Sequence, residues 1–142
     1  MSKSLFKSAH PYFFKCTIIK IIDGDTVDAD VDLGWDTHIS GKRGRIRLAG
    51  IDTPESRTRN KEEKKYGLAA KSFVIDFFEG AEEIILQTKG YGKYRILGDF
   101  KVGSKWLCKE LLKHHHAVEY EGQNKKLKAA AHLANRKLVK LQ

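Results

Sequence analysis

Two strand-to-turn junctions constrain this chain more than any other feature: Asp23-Gly24-Asp25-Thr26-Val27 and Arg47-Leu48-Ala49-Gly50-Ile51-Asp52-Thr53-Pro54-Glu55. At each, a run of β-formers breaks into a turn that carries carboxylates. Residues 18–22 lead into the first, and residues 46–51, flanked by the alternating cations Arg45 and Arg47, lead into the second. Strands that end this way can set Asp25 and Asp52 side by side as hard oxygen donors for Ca²⁺ or Mg²⁺, with the Thr53 carbonyl as a third donor. Pro54 fixes its own φ and biases Thr53 towards an extended conformation, which holds the turn in one shape. Glu55 lies just past these donors, where it can act as a base. Arg47, five residues before Asp52, can offer a bidentate fork to a phosphate. The set suits metal-assisted phosphodiester chemistry.

Taken singly, each junction has an ordinary explanation. Asp-Gly-Asp-Thr after a strand suits a turn, and Asp-Thr-Pro-Glu can cap a helix. The functional reading rests on both together, in this order, with an arginine on the intervening strand. With Lys65-Tyr66-Gly67-Leu68-Ala69-Ala70, they resemble the staphylococcal nuclease (thermonuclease) family over about residues 18–120. The resemblance implies hydrolysis of DNA or RNA with little sequence specificity, with Ca²⁺ held by Asp25, Asp52 and the Thr53 carbonyl. In that reading Glu55 activates the attacking water and Arg47 holds the phosphate. A second arginine is expected in a Lys-Tyr-Gly-Arg run before a leucine, but Gly92-Lys93-Tyr94-Arg95-Ile96-Leu97 is one glycine short. Leu97 keeps its offset from Arg95, so Arg95 is the expected phosphate clamp, with Lys93 and Tyr94 as contacts to a terminal phosphate. The competing register aligns Tyr91-Gly92-Lys93 with the family's Tyr-Gly-Arg and makes Lys93 the clamp. Tyr120 resembles a tyrosine that stacks on a base, at shortened spacing from Ala117.

The remaining elements are read from pattern. Tyr12 to Ile22 is rich in β-branched and aromatic residues, a strand. From Thr26 to Leu33 the chain alternates, with Val27, Ala29, Val31 and Leu33 on one face and Asp28, Asp30 and Asp32 on the other, a half-buried strand. The aspartates read as a solvated face rather than further metal ligands. Trp35, in the polar loop 34–44, either folds back on the sheet or stacks on a base. Arg45 to Ile51 makes a third strand. Asn60 with Glu63 forms a capping box for a helix to about Glu79, stopped by Gly80. Glu83 to Lys89 and Lys93 to Phe100 form a hairpin through Gly90-Tyr91-Gly92. Ser104 is placed to cap a short helix from Lys105 to about Lys113. Three adjacent helical histidines, His114, His115 and His116, point about 100° apart and cannot converge on one metal; a helix C-terminus favours them as cations. Leu127, Ala130, Ala131, Ala134 and Leu138 mark a last amphipathic helix with a basic outer face. Five strands, with a helix between the third and fourth, predict an α+β protein: a five-stranded OB-fold β-barrel with about three α-helices.

A formal net charge of +9 points to a polyanionic partner, DNA or RNA. Its distribution sharpens this: residues 122–142 carry Lys125, Lys126, Lys128, Arg136, Lys137 and Lys140 and no acid. At 142 residues the chain reads as one domain over 12–142, a monomer by default, after a flexible leader over 1–11. Cys16 and Cys108 cannot build a disulfide framework and read as buried free thiols. The leader has no apolar h-region and no stretch approaches membrane-span length, so the expectation is a cytoplasmic location with no membrane partner. A phage origin is compatible with it. The rival class is a non-catalytic or structural nucleic-acid-binding OB-fold protein, such as a phage particle component. The joint presence of Asp25, Arg47, Asp52, Glu55 and Arg95 favours the enzyme.

Overall fold

The computed structural model describes residues 12–92, 95–139 and 141. The expected leader over 1–11 lies outside the described residues, as do Lys93 and Tyr94. Two strands begin the chain, β1 (Phe13–Asp23) and β2 (Thr26–Asp32), paired antiparallel around the first junction. β2 keeps the alternation of the sequence: Val27, Ala29 and Val31 are buried, and the aspartates between them face outward. Those aspartates bind protein groups. Asp28 holds Arg45 through two bonds of 2.7 and 3.0 Å, Asp30 lies 3.2 Å from His38, and Asp32 accepts from the Gly34 amide. The strand stops at Asp32, so Leu33 is left 36 % exposed. Trp35 does not fold back: it is 98 % exposed, in left-handed backbone with φ 57°.

After β3 (His38–Ile39) and a 3-10 turn (Gly41–Gly44) comes β4 (Arg45–Leu48). The expected strand to Ile51 is broken at Gly50, whose φ of +76° turns the chain. Ile51 and Asp52 form β5, which pairs in a separate sheet with β9 (Val118–Glu119). The strands β6 (Ile84–Gly92) and β7 (Arg95–Val102) pair antiparallel as far as Gly92↔Arg95. Gly90, Tyr91 and Gly92 are therefore strand residues, after a register shift beside Gly90, and not the turn that their glycines suggest. The pairings β1–β2, β2–β4, β4–β7, β7–β6 and β6–β1 close on themselves. The chain is α+β, with a mixed sheet whose five main strands form the closed ring expected of an OB-type fold.

Helix α1 (Lys61–Phe78) crosses one end of the ring. Asn60 caps it by accepting from the Glu62 and Glu63 amides at 3.1 Å, and Gly80 ends it with φ +73°. Its inward face is Gly67, Ala70, Val74 and Phe78. Phe78 meets Phe100 edge-on at 5.2 Å within a core of Val27, Ile46, Leu48, Leu86 and Leu111.

Ser104 does not cap the next helix. Lys105 and Trp106 form β8, which pairs back on β7 around Gly103, and α2 spans Leu107–Lys113. The missing cap is supplied from a distance: Asp99 Oδ1 accepts from the Cys108 amide at 3.0 Å. Cys108 and Cys16 are free and partly buried; burial raises both thiols, Cys16 to about 12, so neither is a thiolate nucleophile. The histidines do not serve the α2 terminus simply as cations. His114 and His116 flank the Phe73 ring at 5.2 and 4.9 Å, and burial, aided by the His114 and His115 charges, pushes His116 down towards its neutral form.

Helix α3 (Lys125–Arg136) is capped by Asn124 and lies the other way round from expectation. Leu127, Ala130, Ala134 and, just beyond it, Leu138 are exposed and, of the expected apolar face, Ala131 alone is half-buried, whereas Lys128, His132, Asn135 and Arg136 turn inward. Among the described residues no helix is long and apolar enough to cross a membrane.

Candidate active site

Strand register brings the two junctions together. Thr26 pairs with Arg47, and the Leu48 amide donates to the Asp25 carbonyl at 2.8 Å. Asp25 is buried, its side chain 12 % exposed. Its Oδ1 accepts from the Thr26 hydroxyl (3.0 Å) and its Oδ2 from the Thr53 amide (3.1 Å). Two glycines let both turns lie against α1. A Cβ at Gly24 would come within 2.9 Å of Ala70 Cβ and Thr53 Oγ1, and one at Gly67 within 2.2 Å of the Glu55 carbonyl oxygen. Asp23 Oδ1 accepts from the Ser56 amide (3.1 Å) and hydroxyl, which closes the loop bearing Glu55. Glu55 itself is exposed to an open cavity of about 940 Å³, with no side-chain hydrogen bond or ion pair among the described residues.

Arg47 lies at the centre. Its Nη1 donates to the Leu48 and Ile51 carbonyls at 2.8 and 2.9 Å. Its Nη2 lies 3.2 Å from Asp52 Oδ1 and 3.4 Å from Asp25 Oδ2. Both terminal nitrogens are thus committed to protein acceptors. In this arrangement Arg47 organises the two carboxylates, and a bidentate grip on phosphate requires it to exchange partners.

Asp25 and Asp52 converge closely enough to share one guanidinium nitrogen. The buried Thr53 hydroxyl oxygen has no hydrogen-bond partner among the described residues. Every donor supplied by the junctions is oxygen, the chemistry that Ca²⁺ and Mg²⁺ accept, so the residues present fit a hard divalent cation. Among the described residues no group of three or more His, Cys, Asp or Glu side chains is arranged to hold a metal. A cation here would rely on two carboxylates, backbone and water.

The far side of Asp52 is covered by α3. His132 Nε2 lies 2.8 Å and Lys128 Nζ 3.7 Å from Asp52 Oδ2. Burial would raise the Asp52 carboxyl, but the His132 hydrogen bond and the charges of Lys128, His132 and Arg47 outweigh it and hold the group below the usual carboxylate range. Neither α3 side chain was expected in the site. The signal available in the sequence was the polar helical spacing of Lys128, His132, Asn135 and Arg136. Asp23, Gly24 and Gly67 were likewise missed as positioning residues, although they sit inside the quoted motifs.

Of the expected site residues, Asp25, Arg47, Asp52, Thr53, Glu55, Arg95 and Tyr120 line this one cavity. Arg95 is exposed on β7 with no acceptor among the described residues, and Leu97, two residues on, lines the same wall. The Tyr120 ring lies 5.0 Å from Lys128 Nζ, and its amide donates to the Gly50 carbonyl. Lys93 and Tyr94 lie outside the described residues.

Residues 45–139 match the family described as "Staphylococcal nuclease homologue". The first junction, with Asp25, precedes the matched span. Two curated proteins are similar in part. The "Thermonuclease" of Staphylococcus hyicus is 38% identical over 57 residues, 40% of this chain and 29% of that protein. The "Thermonuclease" of Staphylococcus intermedius is 41% identical over 55 residues, 39% of this chain and 28% of that protein. The matched stretch thus spans less than a third of the length of either relative.

Proposed function

The chain belongs to the family of staphylococcal nuclease homologues, and on that premise we propose that it is a divalent-metal-assisted nuclease that hydrolyses DNA or RNA with little sequence preference. The observation that carries the reading is the convergence of Asp25, Asp52, Arg47, Glu55 and Arg95 on one cavity. Asp25 and Asp52 would hold the cation, which when bound polarises a phosphoryl oxygen and helps orient water. Ca²⁺ is the ion the family implies; oxygen donors alone do not separate it from Mg²⁺.

Glu55 is the base. Its carboxylate reaches the cavity unpaired, while the Asp23–Ser56 bonds and the Gly67 crossing hold its backbone still. It takes a proton from the attacking water as a new P–O bond forms; the opposite bridging P–O bond breaks, and its oxygen leaves with the strand and takes up a proton from solvent as a hydroxyl. Arg95 meets the charge that builds on the phosphoryl oxygens. Arg47 fixes the two aspartates and joins the clamp as its carboxylate contacts are exchanged for phosphate. Tyr120 offers a flat face for a base.

The test is cleavage of plasmid, single-stranded DNA and RNA by metal-stripped protein with Ca²⁺, Mg²⁺ or EDTA. Cleavage should require metal. Glu55→Gln should lower turnover by about 10²–10⁴-fold with an unchanged circular dichroism spectrum, and Arg95→Ala should damage kcat comparably. Full activity in EDTA, or in Glu55→Gln, would sink the proposal. Tight binding with no cleavage under any condition would instead favour a non-catalytic nucleic-acid-binding module.

A further inference from the structure

Among the described residues, helix α3 meets the rest of the protein mainly through polar groups, with Ala131 half-buried beside them. None of its residues is buried, and Leu127 and Leu133 are 62 % and 55 % exposed. Its inward attachments are His132 and Lys128 on Asp52 Oδ2, Asn135 on the Ala117 carbonyl at 3.0 Å, Lys128 over Tyr120, and Arg136 over Tyr66 at 5.2 Å. The first two end on one carboxylate oxygen, which is also a candidate oxygen for the cation. Lys125 and Arg136 extend the same basic face along the cavity wall. Arg136 Nε is buried with no hydrogen-bond acceptor among the described residues.

We propose that the inward face of α3 is a second binding surface for the phosphate backbone of a nucleic-acid strand, held shut against Asp52 by His132 and Lys128 until a divalent cation takes that carboxylate. The inference rests on the metal-assisted nuclease reading above. A divalent charge at Asp25 and Asp52 competes for the oxygen that anchors α3 and repels Lys128. What then remains is one hydrogen bond and ring contacts at a partly exposed surface, with no buried apolar side chain to hold the helix down. Segments of that kind open locally at low cost. Lys125, Lys128, His132 and Arg136 span roughly 16 Å of helix, long enough to meet more than one phosphate beside the reacting one. An anionic backbone also supplies the acceptor that Arg136 lacks.

Hydrogen exchange of the α3 amides, with and without saturating Ca²⁺ and with Ca²⁺ binding followed by calorimetry, tests the gate. In the wild-type protein, exchange should rise about tenfold on adding Ca²⁺. In Asp52→Asn it should already be fast and indifferent to Ca²⁺. In a Glu55→Gln background, which slows cutting of the strand, Arg136→Ala should weaken binding of a labelled single-stranded oligonucleotide severalfold with Ca²⁺ present. The same substitution should flatten the salt dependence by about 0.7 in log–log slope; without Ca²⁺ it should change little. Unchanged α3 exchange in Asp52→Asn, or an equal loss of binding with and without Ca²⁺, overturns the proposal. Bound Ca²⁺ with unaltered α3 exchange overturns the gate alone. Absence of any Ca²⁺ binding overturns the gate and the metal assignment together.

Discussion

α1 and α3 flank the same cavity and are held in opposite ways. α1 turns Gly67, Ala70, Val74 and Phe78 into the core and leaves its charges in water. α3 turns Lys128, His132, Asn135 and Arg136 inward and leaves Leu127, Leu133 and Ala134 outside. Both helices are amphipathic, so amphipathicity did not decide which face went in; the surface each helix met decided it. α1 lies over the apolar end of a closed sheet. α3 lies over Asp52, whose Oδ2 takes His132 at 2.8 Å and Lys128 at 3.7 Å, while Arg47 reaches only the other carboxylate oxygen. An apolar face set against Oδ2 would leave its charge without a partner. A helix beside a carboxylate cluster is therefore selected by charge, one beside a barrel core by apolar area.

The strongest attempt to break this contrast is Gly67→Val on α1. Its side chain would meet the Glu55 carbonyl, so turnover should fall by about 10²-fold or more as the base is displaced. Ala130→Val on the exposed side of α3 should leave turnover unchanged. If both are silent, α1 does not position Glu55. A smaller effect is expected in stability. Val74→Ala should cost about 2–3 kcal/mol in denaturant unfolding, whereas Leu127→Ala should stay within about 0.5 kcal/mol. A comparable loss from Leu127→Ala would mean that α3 buries apolar surface after all.

The smallest effect concerns pH at the α1–α2 contact. The folded state holds His116 below its ordinary value, so its contribution to stability is fully present above about pH 6.5. That contribution is lost as pH falls through this value towards the folded pKa. The melting temperature should therefore decline on acidification from pH 7 to 5, and His116→Phe should remove part of the decline. An identical pH profile in the variant would show that burial of this ring is not linked to folding.

Much of this architecture was legible because it rests on local rules. The alternation of Val27, Ala29 and Val31, the Asn60 cap and the Gly80 stop each depend on a few adjacent residues, and each appears where the pattern puts it. The failures share a cause. Gly90-Tyr91-Gly92 has the composition of a turn, yet its backbone pairs with β7; Ser104 has the chemistry of a cap, yet Asp99 does that work from another strand. In both places a distant segment supplied a hydrogen bond that local propensity does not take into account.

The site divides along the same line. By itself the sequence determined which residues gather at the cavity, because Asp25, Arg47, Asp52 and Glu55 sit at strand ends whose β-formers and turn residues leave little choice of conformation. Only the tertiary structure decided how that set is wired. It tied Arg47 to two carbonyls and two carboxylates, folded Glu55 across Gly67, and rotated α3 so that His132 reaches Asp52, eighty residues away in the chain. The physical reason is that charge satisfaction is settled in three dimensions: a carboxylate takes whichever cation the completed fold brings within about 3 Å, and helical periodicity can rank the faces of α3 but cannot say what will stand opposite them.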